Sequence, residues 1–499
     1  MINRRDFLRT GSAAALALGL LPDGPRSSVW DELERRLRGE LVLPSDPGYG
    51  TARQLELAQF DAVGPRAVAY CAGTADVSLA VRFAQQHGLP VAVRSGGHSY
   101  GGWSTTPGLI IDVSRLNAVT VGPETVTIGP GAQNVDILNT LAPHGLVVSE
   151  GGCPTVAAGG FLQGGGFGLL TRPLGMACDA VVSAEVVLAD GSVVTASPRE
   201  HGDLYWGIRG GGAGGNFGVV TSFTVTPHAG DRMAVATLSF GYDQAVDVLD
   251  GVSAWLPDAP RTIGGGAYLV QPDAAPGSVP VVSVMLASRG TAAELTAQAD
   301  RLVAMTGAPA GRQEFALTYQ ALMMTVFGCA DLSQEQCRRS EKTATGVLTR
   351  PAFGLERTRL SGAPFTRGGW DAVLSAFDAD RRAGQSRYLD LHLFGGAAND
   401  PARTDTAYVH RDSLFSVNYR VHIADPAADT AEARSVARRW VDRGFATIDP
   451  LSNGETYQNW MDPALKDWRQ SYYAENYPRL ARLKSAYDPY RFFRFRQGV

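Results

Sequence analysis

The sequence predicts an α+β protein of more than one domain. Three observations predict it. Strand-like and helix-like runs alternate from residue 67 to 113. Short strands dominate 109–149, and a β-rich run at 181–188 with a hairpin turn follows the glycine-rich stretch. Glycine is crowded into 91–220, which holds 27 of the 58 glycines, and it thins out after about 231. That shift marks the best boundary for a second domain. With 499 residues there is room for two or three domains of about 100–200 residues each.

The elements follow in order. Residues 29–43 carry an amphipathic helix pattern through Trp30, Leu33 and Leu37. The apolar run 67–72 reads as a strand. A helix starts near Thr74 and ends near Gly88-Leu89-Pro90. Residues 91–94 form a short strand that runs into Ser95-Gly96-Gly97-His98. Further strands are expected at 109–113, 126–128 and 146–148, with helical signal at 133–142. A β-rich run at 181–188 enters the turn Ala189-Asp190-Gly191-Ser192, and 219–225 is another strand. Beyond 231, strands such as 281–286 alternate with helices at 291–305 and 428–443.

Hydrophobic residues make up 44% and charged residues 19%, so the chain is globular. A net charge of −4 argues against a general nucleic-acid binder, which carries a basic surface. The start, Asn3-Arg4-Arg5-Asp6-Phe7-Leu8 followed by an apolar run at 13–21, resembles a twin-arginine (Tat) export signal, here taken as 1–28. The run is too short to span a bilayer, and the expected product is an exported protein without a membrane span. Five cysteines in an exported chain leave at least one unpaired or chemically committed. Cys329 and Cys337 lie close enough to pair or to stay as two thiols, while Cys71 and Cys178 read as small core residues.

Three glycine loops hold the chemistry. The first is Arg94-Ser95-Gly96-Gly97-His98-Ser99. The second runs from Gly152-Cys153-Pro154-Thr155-Val156 through Gly159-Gly160 to Gly164-Gly165-Gly166-Phe167-Gly168. The third is Arg209 to Gly218, followed by Val219. Consecutive glycines expose backbone N–H groups and allow positive φ, as a pyrophosphate requires. No Walker A pattern and no G-x-G-x-x-G after the first strand is present. His98 and Cys153 are the reactive side chains inside these loops. A metal site lacks a third ligand at usual zinc spacing, and a Cys-His hydrolase would leave the glycines unused.

These loops resemble those of the berberine bridge enzyme-like FAD oxidases of the vanillyl-alcohol oxidase superfamily. Arg94 to Ser99 is similar to the family's pyrophosphate loop. Cys153 to Gly168 is similar to its second flavin loop. The stretch Tyr472-Tyr473-Ala474-Glu475-Asn476-Tyr477-Pro478-Arg479-Leu480, with Lys484 and Tyr487-Asp488-Pro489, is similar to its closing segment. The resemblance implies a two-subdomain PCMH-type FAD-binding domain at 29–230. It also implies an α+β substrate domain at 231–455, with an antiparallel sheet flanked by helices, and a segment at 456–499 returning to the FAD domain. It implies FAD held bicovalently, through His98 at the 8α-methyl carbon and through Cys153 at C6 of the ring. Arg94, Ser95, Gly96, Gly97, Ser99, Gly152, Val156, Gly159, Gly160, Gly164, Gly165, Gly168, Gly218, Val219, Tyr473 and Asn476 would complete the cofactor site. A small residue at Val156 matches the position that admits O₂ to the ring. The implied reaction is hydride transfer from an alcohol or hemiacetal carbon of a sugar or natural product to flavin N5. O₂ is then reduced to H₂O₂. The partners are a small-molecule substrate and O₂, with no nucleic acid, in a monomer or homodimer.

One motif departs from the family. Its Y-x-N-Y segment, whose second tyrosine is the usual base, reads Tyr457-Gln458-Asn459-Trp460 here. Indole has an N–H donor and no basic site. His392, Tyr419 and Tyr457 are the replacement candidates, His392 because its unperturbed pKa suits base catalysis near neutrality. The alternative is a non-redox cyclase or binding protein in which the flavin is structural. Phe161 stands where many relatives carry histidine, and Ala157 where they carry glycine.

Overall fold

The computed structural model describes residues 28–230 and 232–499, so the twin-arginine segment lies outside the described residues. The first sheet contains Glu40–Val42 (β1), Ala67–Tyr70 (β2), Val91–Arg94 (β3) and Leu109–Asp112 (β4), in the order β1-β2-β4-β3. β2 and β3 both run parallel to β4. The helix Thr74–Gln86 supplies the crossover that parallel pairing needs.

The expected long helix at 29–43 is shorter, Ser28–Arg36, and the chain then turns into β1. Asp76 is the reason. Its carboxylate accepts the backbone N–H groups of Arg38 at 3.0 Å, Gly39 at 2.9 Å and Ala72 at 2.8 Å. This draws the chain out of helical geometry and lays it along β2.

Continuing along the chain come Val119–Val121 (β5), Val126–Ile128 (β6), Leu146–Val147 (β7), Val181–Val187 (β8), Val193–Ala196 (β9), Val219–Val225 (β10) and His228–Ala229 (β11). They form a five-stranded antiparallel sheet, β5-β6-β10-β8-β9, and a small β11-β7 ribbon. The C-terminal segment packs into the core of the five-stranded sheet. Trp468, Tyr472, Leu480 and Leu483 are buried there beside Trp206 and Phe217.

The largest sheet contains Arg232–Phe240 (β12), Ile263–Gln271 (β13), Val281–Ser288 (β14), Gly311–Thr318 (β15), Phe353–Ser361 (β16), Ser386–Leu393 (β17) and Phe415–Ile423 (β18). Its order is β15-β12-β14-β13-β17-β18-β16, antiparallel throughout. The helices Ala245–Trp255, Ala292–Thr306, Arg367–Asp378 and Ala431–Ile448 cover one face. Leu389, Leu391, Leu393, Val417, Tyr419 and Val421 point into that core with Trp255, Trp370 and Trp440. Side chains alternate along a strand, so Tyr388, Asp390, His392, Asn418, Arg420 and His422 stand on the other face.

Cys329 and Cys337 form a disulfide with Cα atoms 5.8 Å apart. Cys71 and Cys178 are buried thiols, and Cys153 is exposed. Among the described residues no helix is long and apolar enough to cross a membrane.

The second glycine loop leaves no room at one position. A Cβ on Gly168 would run into the carbonyl oxygen of Glu150. Gly168→Ala is expected to lower stability by ~1–3 kcal/mol, the usual cost of overpacking, and thermal unfolding of the purified protein measures it.

Candidate active site

The site begins where two glycine loops dock. An added Cβ on Gly96 would sit 2.8 Å from the Ala157 nitrogen and 3.2 Å from the Thr155 carbonyl. On Gly159 it would meet the Ser95 hydroxyl at 2.9 Å. Glycine at both positions lets the backbones interlock. His98 Nε2 then lies 2.9 Å from Thr155 Oγ1, tying one reactive residue to the loop that carries the other. Burial holds the His98 imidazole down to about 4, against the pull of its Thr155 hydrogen bond, so it is neutral at pH 7.

Cys153 is reachable by solvent, yet it lies in a cleft whose walls surround it closely. That confinement pushes its thiol above the ordinary range, while Arg420 pulls the other way. Gly160 has nothing within 4 Å of where its Cβ would be, so the loop keeps an open side. Among the described residues, Ser99 Oγ and the two terminal nitrogens of Arg94 are buried without a hydrogen-bond partner. A neutral imidazole, a thiol, an open glycine surface and unspent polar atoms suit a large polar cofactor such as FAD.

The polar face of the large sheet forms the opposite wall. Arg420 pairs with Asp390 at 2.9 Å and lies over the Tyr388 ring at 4.3 Å. Glu356 faces Arg420 across the β16–β18 pair and accepts from Asn418 Nδ2 at 3.1 Å. Burial pushes the Glu356 carboxyl up to about 7, with Arg420 opposing and Asp390 adding to it. Burial alone would pull Arg420 down, but Asp390, Tyr100 and Glu356 together outweigh it and keep the guanidinium charged. Tyr100 donates to His422 Nε2 at 2.6 Å, which fits an imidazole that burial and Arg420 hold down to about 3.

An aromatic cluster completes the cleft. His392 stacks on Trp460 with centroids 5.5 Å apart, and Phe167 and Tyr268 pack against His392 at 5.3 and 5.8 Å. Burial lowers the His392 imidazole to about 4 against the pull of Asp390.

Two of the candidate bases have their hydroxyls committed elsewhere. Tyr419 belongs to the opposite parity of β18 and is buried in the helical core. Its hydroxyl donates to the Val373 carbonyl at 2.6 Å, and its ring meets Trp440. Tyr457 is buried beneath the second glycine loop. Its oxygen accepts from Gly166 N at 2.7 Å, Phe167 N at 3.2 Å and Asn459 Nδ2 at 2.9 Å. Burial raises this phenol despite those bonds, and its oxygen clamps the loop from below.

Several expected cofactor residues also have structural duties. Arg94 is paired with Asp112. Gly97 lies over Leu55. Val156 O accepts from Asn134 N at 2.9 Å. Gly164 and Gly165 are filled around by Asn459, Tyr408 and Tyr457. Gly152 is exposed beside Cys153. Gly218 precedes β10 and Val219 begins it, both packed on Val187. Tyr473 lies in the core, and Asn476 Nδ2 donates to the carbonyls of Arg403 at 2.8 Å and Thr406 at 3.2 Å. The third glycine loop is a packing crossroads, crowded by Tyr408, Leu480, Gln163, Phe495 and Val93.

Sequence reasoning missed Tyr100, Tyr268, Glu356, Tyr388, Asp390, Arg420 and His422. The period-two alternation in 415–423 was the available signal. Phe415, Val417, Tyr419, Val421 and Ile423 are one apolar set, while Asn418, Arg420 and His422 belong to the polar one.

Residues 65–197 match the family described as FAD binding domain, and residues 456–499 match Berberine and berberine like. An uncharacterised FAD-linked oxidoreductase of Bacillus subtilis, YgaK, is 28% identical over 93% of this chain and 97% of its own length. A chitooligosaccharide oxidase of Gibberella zeae is 28% identical over 90% of this chain and 89% of its own. A solved structure of glucooligosaccharide oxidase from Acremonium strictum, whose FAD is 6-S-cysteinyl and 8α-N1-histidyl, superposes with a TM-score of 0.80. It has 22% identity and covers 93% of this chain and 98% of that one.

Tyr419→Phe removes one buried hydrogen bond outside the cleft. It is expected to cost about 1 kcal/mol of stability and to leave the protein's spectrum and turnover unchanged. Thermal unfolding and steady-state kinetics on the same preparation check both halves.

Proposed function

Because this chain resembles the berberine bridge enzyme-like FAD-linked oxidases in its two family segments and its whole fold, we propose that it is an oxidase carrying bicovalent FAD. In this reading it takes hydride from a CH–OH carbon of a hydroxylated substrate and passes the electrons to O₂. The observation that carries the reading is the docking of the two glycine loops, which brings His98 and Cys153 to one cleft. The coarser statement, an FAD-linked oxidoreductase, rests on the FAD binding domain and the full-length relatives.

His98 and Cys153 would hold the ring, with Ser99 and the open glycine surface at 160 against the rest of the cofactor. Bound there, FAD supplies the hydride acceptor, N5. The protein's own work is positioning and proton handling. Phe167, Tyr268 and Trp460 offer flat faces to the apolar side of a sugar or a polycyclic alcohol. Asp390, Arg420, Glu356 and Asn418 offer hydrogen bonds to its hydroxyls. With Tyr419 and Tyr457 spent elsewhere, His392 is the base beside Trp460. Its imidazole is neutral at pH 7 and accepts the hydroxyl proton as the C–H hydride departs. The substrate class is a sugar or natural-product alcohol, as the oligosaccharide oxidases among the relatives suggest. Export through the twin-arginine route belongs to the same proposal. The Cys329–Cys337 disulfide supports it, since disulfides persist in oxidising compartments.

The purified protein is expected to be yellow and to keep its colour on acid precipitation, while Cys153→Ala retains FAD through His98 alone. A colourless protein overturns the flavin reading. Anaerobic addition of sugars and aglycones should bleach the flavin; no bleaching across the panel favours the non-redox alternative.

His392→Ala is expected to lower kcat by ~10²–10⁴-fold with FAD content unchanged. A base must be deprotonated to act, so kcat should rise with pH through about 4, the His392 value, and then level off. An acid limb near pH 7 would instead assign the proton to Glu356.

A further inference from the structure

One ionic cluster near the cleft has no part in the reaction proposed above. Residues 54–57 run directly beneath the first glycine loop, where Glu56 N donates to the Gly97 carbonyl at 3.0 Å. This brings Glu56 Oε2 to 3.4 Å from His98 Nε2. Arg339 forms a close ion pair with the same carboxylate, and its guanidinium is largely buried. Arg339 also reaches His98 Nε2, at 3.5 Å, the longer of its two contacts in this cluster.

Arg339 is itself held in place. It lies two residues beyond Cys337, which is disulfide-bonded to Cys329. Arg338 pairs with Asp136, Lys342 Nζ donates to the Thr51 carbonyl at 2.8 Å, and Arg339 and Arg350 donate to the Leu55 carbonyl at 3.3 and 3.1 Å. The segment straps 51–56 against the loop that ends in His98.

Three side chains, Thr155 at 2.9 Å, Glu56 at 3.4 Å and Arg339 at 3.5 Å, approach the imidazole at Nε2, and the Thr155 backbone adds a further hydrogen bond to the ring. A proton on Nε2 would face the carboxylate and the hydroxyl oxygen and leave the lone pair on Nδ1. We propose that Glu56 is the positioning residue for covalent attachment at His98. Held by Arg339, its carboxylate fixes the Nε2–H tautomer, leaves Nδ1 as the nucleophile, and takes the Nε2 proton as Nδ1 forms its bond. The logic is that of a carboxylate orienting a histidine in a catalytic triad. Attachment replaces one C–H of the flavin 8α-methyl and one N–H of the imidazole by a C–N bond. The two protons and two electrons released go to O₂ as H₂O₂, the imidazole proton by way of Glu56.

This inference rests on the bicovalent reading, and the test separates the two. Full-length protein is digested and analysed by mass spectrometry. Doubly attached FAD links the His98 peptide to the Cys153 peptide, and singly attached FAD stays on the Cys153 peptide alone. Wild type should give the linked pair. Glu56→Gln keeps the side chain's shape and should reduce linkage at His98 by about tenfold or more, with FAD on Cys153 retained. Glu56→Asp should restore part of it, and Arg339→Lys should show a smaller loss. Unchanged linkage at His98 in Glu56→Gln overturns the proposal. So does a parallel loss at both residues accompanied by a lower melting temperature, which a purely structural role would give. If Glu56→Gln does not fold, the ratio of His98 to Cys153 attachment in Glu56→Asp and Arg339→Lys decides, and a wild-type ratio in both overturns the proposal. Wild-type protein without FAD on His98 brings down the bicovalent reading itself, and this inference with it.

Discussion

The backbone of one glycine loop lies directly on the backbone of another, and the cleft depends on that contact. Gly96 rests on Thr155 and Ala157, and Gly159 rests on Ser95. A side chain at either position would separate the loops by the width of a methyl group. The separation would break the His98–Thr155 bond and take His98 away from the side of the cleft that holds Cys153. Glycine is needed here for close approach of the backbones, and the crowded third loop makes the same point without facing the cleft.

The other wall depends on the two-residue period of the antiparallel sheet. Leu389, Leu391 and Tyr419 go to the helices, while Asp390, His392 and Arg420 go to the cleft. The core therefore buries apolar residues that hold the strands in register, and the same register sets the spacing of the charged residues opposite. Burying Asp390, Glu356 and Arg420 together is tolerable because they compensate one another; an unpaired charge in that position would carry a large desolvation cost.

Trp460 changes what its neighbours must do. It brings an indole to the wall and no proton acceptor. The aromatic cluster around it holds His392 upright, with Phe167 and Tyr268 on its flanks. Tyr457, three residues earlier, is occupied below the loop, where its oxygen satisfies two backbone N–H groups that would otherwise be buried without partners. In the proposed mechanism proton transfer falls to a strand residue, His392, which keeps the base on a rigid element.

Much of the fold and part of the site were legible in the sequence. Apolar runs gave β2, β3, β8 and β10, and the helix after Thr74 showed its start and stop. The glycine loops singled out His98 and Cys153 because glycine pairs beside a nucleophile are a local pattern. The shortened first helix was not legible, because Asp76, 38 residues further on, ends it through space. Tyr419 and Tyr457 looked available because their types suit base chemistry, and only packing commits their hydroxyls to Val373 and to the glycine loop. Glu56 and Arg339 stand 283 positions apart and meet at His98 through a strap whose path is set by tertiary contacts. Local periodicity and backbone demands are written into the chain order. Which side chain is spent on structure and which is left for chemistry is settled only when distant segments compete for the same hydrogen bonds and the same space.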